Sequence, residues 1–225
     1  MRLDDARARA ARARYRDAPA RTRAYVAVRL ATCPFEALLD RLAPTAHLLD
    51  VGCGAGVLGH LVTASGGTAI GVDPDARKVA VARASAGDGE PFRVVQGTAQ
   101  TAPAGPFDAV SLVDVLYLEP PDVQDAMLEA ACGRLGDGGT ILVKTVHDEP
   151  RWKSRLTRAQ ETVAVRGLGW TQGRALTAPS PERVEATLRA HGLAVETTRV
   201  DRGYLHPHLL IEGRRAVGQS AGADS

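Results

Sequence analysis

Residues 48–56 read Leu48-Leu49-Asp50-Val51-Gly52-Cys53-Gly54-Ala55-Gly56, an apolar run that leads into a turn with three glycines. Apolar residues then recur at helical spacing over residues 57–62, so the turn joins a buried strand to a helix. Glycines allow positive φ angles and close approach of a ligand to the backbone, and the first turn of a helix presents unpaired N–H groups. The segment therefore predicts a ligand site at a strand-to-helix turn of an α/β fold.

Short apolar runs alternate with helical segments along the rest of the chain. Such alternation is typical of a parallel sheet with helices on both faces. Two further runs near the C-terminus predict a hairpin, which adds an antiparallel strand. We therefore expect an α/β fold with a seven-stranded, mostly parallel sheet, whose strands cover residues 47–51, 68–73, 92–96, 107–113, 139–146, 193–200 and 204–212.

The pattern divides the chain into three parts. Residues 1–44 are Ala- and Arg-rich and predict an N-terminal helical cap. Residues 45–213 carry the sheet and form the main domain, in which Ser180 predicts the start of a helix and Gly192 its end. Residues 214–225 are expected to be a flexible tail.

The charges of the chain are unevenly distributed. Residues 1–30 contain nine Arg and three Asp, a net charge of +6, whereas the whole chain carries +2. A basic segment of this kind could contact nucleic acid or an anionic surface, but a solvated helical face is the commoner cause. We expect no nucleic-acid partner, and the N-terminal helices could instead mediate a homodimer.

The composition disfavours several classes of protein. No apolar run approaches the roughly 20 residues that a membrane-spanning helix needs. The three cysteines, Cys33, Cys53 and Cys132, show neither disulfide-framework nor zinc-binding spacing, and His206 and His208 lack further ligands. We therefore expect a cytoplasmic protein without a metal site.

The glycine spacing separates two classes of nucleotide-binding turn. Dinucleotide-binding folds use G-x-G-x-x-G, whereas here Asp50 precedes Gly52, Gly54 and Gly56, and the third glycine comes one residue earlier. This pattern resembles motif I of the class I SAM-dependent methyltransferases, which bind S-adenosylmethionine (SAM) on a Rossmann-like sheet and release S-adenosyl-L-homocysteine (SAH). The resemblance implies that Asp50 and the turn residues Gly52, Cys53, Gly54 and Gly56 hold the methionine and ribose parts of SAM.

Two later positions fit an adenosine ligand. Asp73 ends the second predicted strand, where a carboxylate can accept hydrogen bonds from both ribose hydroxyls, and we assign it that role with Pro74 beside it. A helix cap is the alternative for Asp73. Thr98 and Ala99 follow the third strand, where relatives often contact the adenine amino group, although ordinary turn formation explains these two residues equally well.

Two further motifs extend the resemblance over residues 45–146. Residues 107–118 begin Phe-Asp-Ala-Val and continue as an aliphatic run, which is similar to the family's fourth motif and places Asp114 near the methyl donor. Residues 136–143 are similar to its L-x-P-G-G turn and fifth strand, with Asp137-Gly138 in place of the usual Pro-Gly.

Catalytic side chains are expected beyond the carboxyl ends of the strands, where open α/β sheets bind ligands. His147 is the candidate general base, because an oxygen acceptor must lose a proton and histidine titrates near neutral pH. An exposed position at a strand exit is the alternative for His147. Tyr117 is the second catalytic candidate, with packing as its alternative.

The segment after the fifth strand bears on the acceptor. Residues 147–179 carry Trp152 and Trp170 and predict a lid-like insertion that could enclose a hydrophobic molecule. The resemblance implies methyl transfer to a small molecule, and we favour O-methylation of a hydrophobic or natural-product-like metabolite over N- or C-methylation. The alternatives are an NAD(P)-dependent oxidoreductase and a noncatalytic SAM- or RNA-binding protein. We also expect that removal of residues 1–16 leaves SAM binding intact.

Overall fold

The computed structural model describes residues 4–87, 91–146, 179–204 and 207–218. Its strands are β1 (His47–Val51), β2 (Thr68–Asp73), β3 (Phe92–Gln96), β4 (Phe107–Val113), β5 (Leu135–Val146), β6 (Ala194–Arg199) and β7 (His208–Arg214). Its α-helices are α1 (Asp5–Ala13), α2 (Ala20–Thr32), α3 (Phe35–Leu39), α4 (Val57–Ala64), α5 (Ala76–Ala86), α6 (Pro121–Cys132) and α7 (Pro181–Ala190), and a short 3-10 helix covers Leu116–Leu118.

The described strands form a seven-stranded sheet in the order β3-β2-β1-β4-β5-β7-β6. β7 runs antiparallel to its neighbours β5 and β6, and the other pairs are parallel. The chain passes from β1 toward β2 on one side and later returns to β4 on the other, so a crevice forms at the carboxyl ends of β1 and β4. The predicted fold class is confirmed.

The bounds of β1 to β4 are those predicted, whereas the later strands differ. β5 begins at Leu135 rather than at residue 139, because Leu135 pairs with Phe107 across a shift in register. β7 begins only at His208, four residues after the predicted start at 204. These differences arise from strand pairing, which local sequence does not encode.

The C-terminal end of the sheet extends further than predicted. Arg214 is the last residue of β7 and pairs with Thr140 of β5. Arg215 is buried and donates hydrogen bonds to the carbonyl oxygens of Leu135 and Cys132. The predicted start of the flexible tail at residue 214 is therefore wrong, because Arg214 and Arg215 belong to the folded domain.

Helices cover both faces of the sheet. Successive residues of a strand face opposite sides, so Leu48 of β1 belongs to the core beneath α1 to α5, and Leu49 belongs to the core beneath α6 and α7. Both leucines are fully buried. β1 therefore lies in the interior of the sheet, and the glycine turn that follows its carboxyl end lies in the crevice.

The N-terminal cap is part of the first core. α1 and α2 pack on α4, and their inner-face residues Ala11 and Val26 are buried, as is Tyr15 between the two helices. The predicted cap contains two helices after α1, because Pro34 separates α2 from α3. The homodimer through these helices stays a prediction.

Helix α7 has the predicted boundary residues. The Ser180 hydroxyl oxygen accepts a hydrogen bond from the backbone N–H of Arg183 at 3.4 Å, and Gly192 follows the helix with φ +75°. The predicted lid up to residue 178, including His147, lies outside the described residues. Of the described helices, none is long and apolar enough to cross a membrane.

Candidate active site

A pocket of about 370 Å³ lies at the carboxyl ends of β1, β2 and β4, with α2 as one wall. It occupies the crevice at which the strand order reverses, where open α/β sheets bind ligands. The structure brings together there most of the site residues that the sequence predicts. These lining residues are Asp50, Gly52, Cys53, Gly54, Asp73, Asp114 and Tyr117.

The glycine turn needs its glycines for two reasons. Gly52, Gly54 and Gly56 have φ angles of +75°, +56° and +87°, which side chains disfavour. A Cβ atom on Gly52 would lie 2.5 Å from Val115, and one on Gly56 would lie 2.6 Å from Phe92. Gly56 is also the residue before α4, so the early third glycine allows the helix to begin directly after the turn.

Gly54 is the open point of this turn. The nearest atom to a Cβ added there is the Tyr25 hydroxyl oxygen, at 3.8 Å. Because Gly54 lines the pocket and has no side chain, a ligand can approach its backbone closely. The turn thus combines a tightly packed side, toward the core, with an accessible side.

Asp73 braces the glycine turn from the end of β2. One carboxylate oxygen accepts a hydrogen bond from the backbone N–H of Gly54 at 2.9 Å, and the other accepts one from the N–H of Asp75 at 2.9 Å. A carboxylate has about four acceptor sites, so capacity remains for a ligand in the pocket. Asp73 thus contributes local backbone hydrogen bonds, and its ribose-binding role stays a prediction.

Asp50 is buried beneath the turn. Its carboxylate accepts a hydrogen bond from the Ser111 hydroxyl at 2.7 Å. Burial raises the pKa of Asp50 to about 7, although the Ser111 hydrogen bond opposes this shift. Asp50 therefore changes protonation state near neutral pH within the wall of the pocket.

The Asp50→Asn variant is expected to show a weaker dependence of stability on pH. The folded protein holds the Asp50 proton more tightly than the unfolded chain, in which aspartate titrates near about pH 4. The stabilising effect of this carboxyl is full below that pH and is lost as the pH rises to about 7. Urea denaturation of both proteins between pH 4 and 8 tests this, and wild-type stability should fall relative to the variant. Parallel curves would contradict the assigned pKa.

Asp114 is the centre of an ion-pair cluster that the sequence does not predict. Its carboxylate contacts the Lys144 ammonium at 2.5 Å and the Arg29 guanidinium at 2.7 Å. Burial alone would raise the pKa of Asp114, but these two cations hold it well below its usual range. Asp114 has φ +57°, and its backbone N–H donates to the Lys144 carbonyl at 3.0 Å. The cluster ties the cap helix α2 to the ends of β4 and β5.

Other pocket residues also lack a local sequence signal. Tyr25 reaches the pocket from α2, Lys78 from α5, and Val115 and Leu118 from the segment after β4. Only Lys144 could have been found early, because a charged residue in an otherwise apolar strand is unusual. The others depend on how the cap folds back over the sheet.

Several predicted site residues lie away from the pocket lining. Gly56 and Pro74 do not line it, nor do Thr98 and Ala99. Thr98 donates its backbone N–H to the Thr101 hydroxyl at 2.9 Å, and Ala99 is buried in the second core. These contacts fit the alternative of turn formation, and the adenine role stays a prediction.

Cys53 lines the pocket without becoming reactive. It is buried, and burial raises the pKa of its thiol well above the usual value. A protonated thiol is a poor nucleophile, so Cys53 acts as a small filler of the turn. Within the described ranges, no group of three or more His, Cys, Asp or Glu residues could hold a metal ion.

Comparison with known proteins identifies relatives of this fold and turn. A family model described as "Methyltransferase domain" matches residues 22–198. The ubiquinone biosynthesis O-methyltransferase of Xanthomonas campestris pv. campestris (strain B100) is 32% identical over 112 residues, which cover 48% of this chain and 46% of that protein. Its counterpart from Thiobacillus denitrificans is 32% identical over 116 residues, or 48% and 49% of the two chains. The chain thus matches about half the length of these curated relatives.

Solved structures show the same fold at lower identity. An O-methyltransferase family protein from Burkholderia thailandensis has a TM-score of 0.66 at 20% identity, covering 92% of this chain and 63% of that one. Magnesium protoporphyrin IX methyltransferase from Synechocystis PCC 6803, solved with bound SAH, has a TM-score of 0.62 at 18% identity, covering 81% and 80%. The family match decides against the oxidoreductase alternative. The glycine turn and Asp73 line one pocket in the crevice of the sheet. Together with the family match, this arrangement identifies the chain as a member of the class I SAM-dependent methyltransferases.

Proposed function

We propose that this protein transfers a methyl group from SAM to the oxygen of a hydrophobic small molecule. The observation that carries the proposal is the hydrogen bond between Asp73 and Gly54, which joins the carboxylate at the end of β2 to the glycine turn of β1. A nucleoside that spans these two points would have its ribose at Asp73 and its amino-acid end along the turn.

The described residues fit a SAM-sized ligand. The pocket volume of about 370 Å³ lies within the range of roughly 300–1,000 Å³ that is usual for small-molecule sites. Gly54 leaves the backbone of the turn accessible, while Asp73 retains acceptor capacity for hydroxyl groups. When bound, SAM supplies a methyl group that its sulfonium makes electrophilic.

Arg29 adds a cation to the cofactor side of the pocket. Its Nη1 atom pairs with Asp114, but a guanidinium has five N–H donors in a planar fork. The side chain is about one quarter exposed, and the residue lines the pocket. We assign to Arg29 the recognition of the ligand's carboxylate, with Asp114 as the group that orients it.

Apolar side chains also line the pocket, among them Val28, Phe35, Val115 and Leu118, together with Tyr117. We assign the contact with the acceptor to this apolar part of the lining. Such a surface suits an aromatic or aliphatic acceptor and excludes water from the methyl group. Alignment of the two reactants can alone contribute several kcal/mol, on the order of 7 or more in favourable cases.

The catalytic roles of His147 and Tyr117 remain part of this proposal. Tyr117 lines the pocket, where its hydroxyl group could orient an acceptor oxygen. His147 follows β5 directly in the chain and would take the proton of the acceptor hydroxyl. O-methylation is supported by the names of the curated relatives, which act in ubiquinone biosynthesis.

Calorimetric titration of the full chain with SAH and with NAD tests the cofactor. We expect SAH to bind and NAD to show no heat of binding. The reason is that the third glycine of the turn comes one residue earlier than in the dinucleotide-binding pattern. Incubation with SAM and matched phenol and aniline acceptors then tests the methylated atom. Product from the phenol alone supports O-methylation, whereas product from the aniline alone would replace it by N-methylation. Binding of NAD without SAH would overturn the proposal.

A further inference from the structure

Tyr15 connects the N-terminal cap to the glycine turn. It lies two residues after α1, and its hydroxyl donates a hydrogen bond to the carbonyl oxygen of Ala55 at 2.7 Å. Tyr15 is only 1% exposed. Ala55 lies between Gly54 and Gly56, so this contact reaches the centre of the turn from outside the nucleotide-binding unit.

A neighbouring arginine fixes the position of Tyr15. The Arg14 guanidinium donates hydrogen bonds to the carbonyl oxygen of Ser85 at 3.1 Å and to that of Ala86 at 2.6 Å. These carbonyls belong to the last turn of α5. The end of α1 is therefore fastened to α5, independently of the glycine turn.

Ring contacts hold the Tyr15 side chain from another direction. Its ring packs edge-on against His60 of α4 with 5.4 Å between centroids, and His60 packs against Phe92 of β3 at 4.9 Å. Phe92 in turn fills the space where Gly56 lacks a side chain. Contacts with α4, and through His60 with β3, thus hold the Tyr15 side chain in position independently of its hydrogen bond to the turn.

The turn benefits from such an external contact. Glycine-rich backbone loses more conformational freedom on ordering than other backbone, which makes an unsupported turn costly to fix when a ligand binds. A hydrogen bond that already holds the turn lowers this cost and raises affinity. Without the Tyr15 hydroxyl, the Ala55 carbonyl would lose its partner within the described contacts.

From these contacts we infer that Tyr15 is a positioning residue for the cofactor turn, so that the segment after α1 belongs to the cofactor site. This inference rests on the proposed function, because it concerns the same turn and the same ligand. It also reverses the expectation from sequence that removal of residues 1–16 leaves SAM binding intact.

The Tyr15→Phe variant tests the inference, since it removes the hydroxyl and keeps the ring. We expect the Kd for SAH, measured by calorimetry well below the unfolding temperature, to rise by about fivefold, as for the loss of one hydrogen bond. Hydrogen exchange of the amides in residues 52–57 should become faster. A merely structural role would lower the unfolding temperature and speed exchange throughout the chain, and it would leave the Kd for SAH unchanged.

Arg7→Gln is the matched control, on α1 itself. The Arg7 guanidinium pairs with Glu36 of α3 at 3.2 Å, and neither residue lines the cofactor pocket. We expect this variant to lose stability while its Kd for SAH stays at the wild-type value. Equal weakening of SAH binding in both variants, or an unchanged Kd in Tyr15→Phe, would overturn the inference. Failure of the wild-type chain to bind SAH would instead refute the proposed function.

Discussion

Replacement of Asp73 with alanine should weaken SAH binding by at least about 100-fold, because the proposed ribose role gives Asp73 two charge-assisted hydrogen bonds, which contribute about 1.5–3 kcal/mol each. The variant also loses the carboxylate that accepts the Gly54 N–H, so the turn itself becomes less ordered. Both effects act on the same ligand. Calorimetric titration of the two proteins with SAH measures the change.

Asp75→Ala separates ligand binding from helix capping. Asp75 is the residue before α5, and its carboxylate accepts the backbone N–H of Arg77 at 2.9 Å, yet Asp75 does not line the pocket. We expect this control to lose about 1 kcal/mol of stability, which is typical of a lost N-cap, and to bind SAH normally. If Asp75→Ala weakened binding as much as Asp73→Ala, Asp73 would be a cap residue and the ribose role would be withdrawn. Asp73→Asn supplies a second variant with a milder effect on folding.

The sequence predicted the nucleotide-binding half of the fold well, and the reason is local. β1 to β4 are short apolar runs with polar or glycine boundaries, so periodicity alone sets their ends. β5 and β7 are bounded by pairing instead: Leu135 joins the sheet through Phe107, and Arg214 through Thr140. A local sequence pattern cannot predict pairing between residues that are so far apart in the chain.

The same distinction applies to the site. The glycine turn and Asp73 lie in contiguous motifs, so their place in the pocket could be predicted. Tyr15 and Arg29 could not, because their partners Ala55 and Asp114 are 40 and 85 residues away. The arginines of the cap predicted a solvated helical face. The inner face of the cap instead contributes residues to the wall of the pocket.

The ion-pair cluster gives the second large expected effect. Asp114→Asn should lower the free energy of unfolding by about 3–5 kcal/mol, since it leaves a buried ammonium without its counter-charge. The Lys144 side chain is only 1% exposed. Asparagine tolerates the φ of +57° at this position, so backbone strain does not confuse the result. For a chain of 225 residues, the unfolding temperature should fall by about 10 °C.

The double variant Asp114→Asn/Lys144→Met tests whether the unpaired charge of Lys144 causes the loss of stability in Asp114→Asn. Removal of both partners of a buried ion pair is far less costly than removal of one, so the double variant should be more stable than Asp114→Asn alone. Thermal unfolding of the wild type, the two single variants and the double variant measures the coupling between the two residues. Additive losses would mean that the cluster stabilises the fold through packing, and that Arg29 is oriented toward the pocket without help from the charge of Asp114.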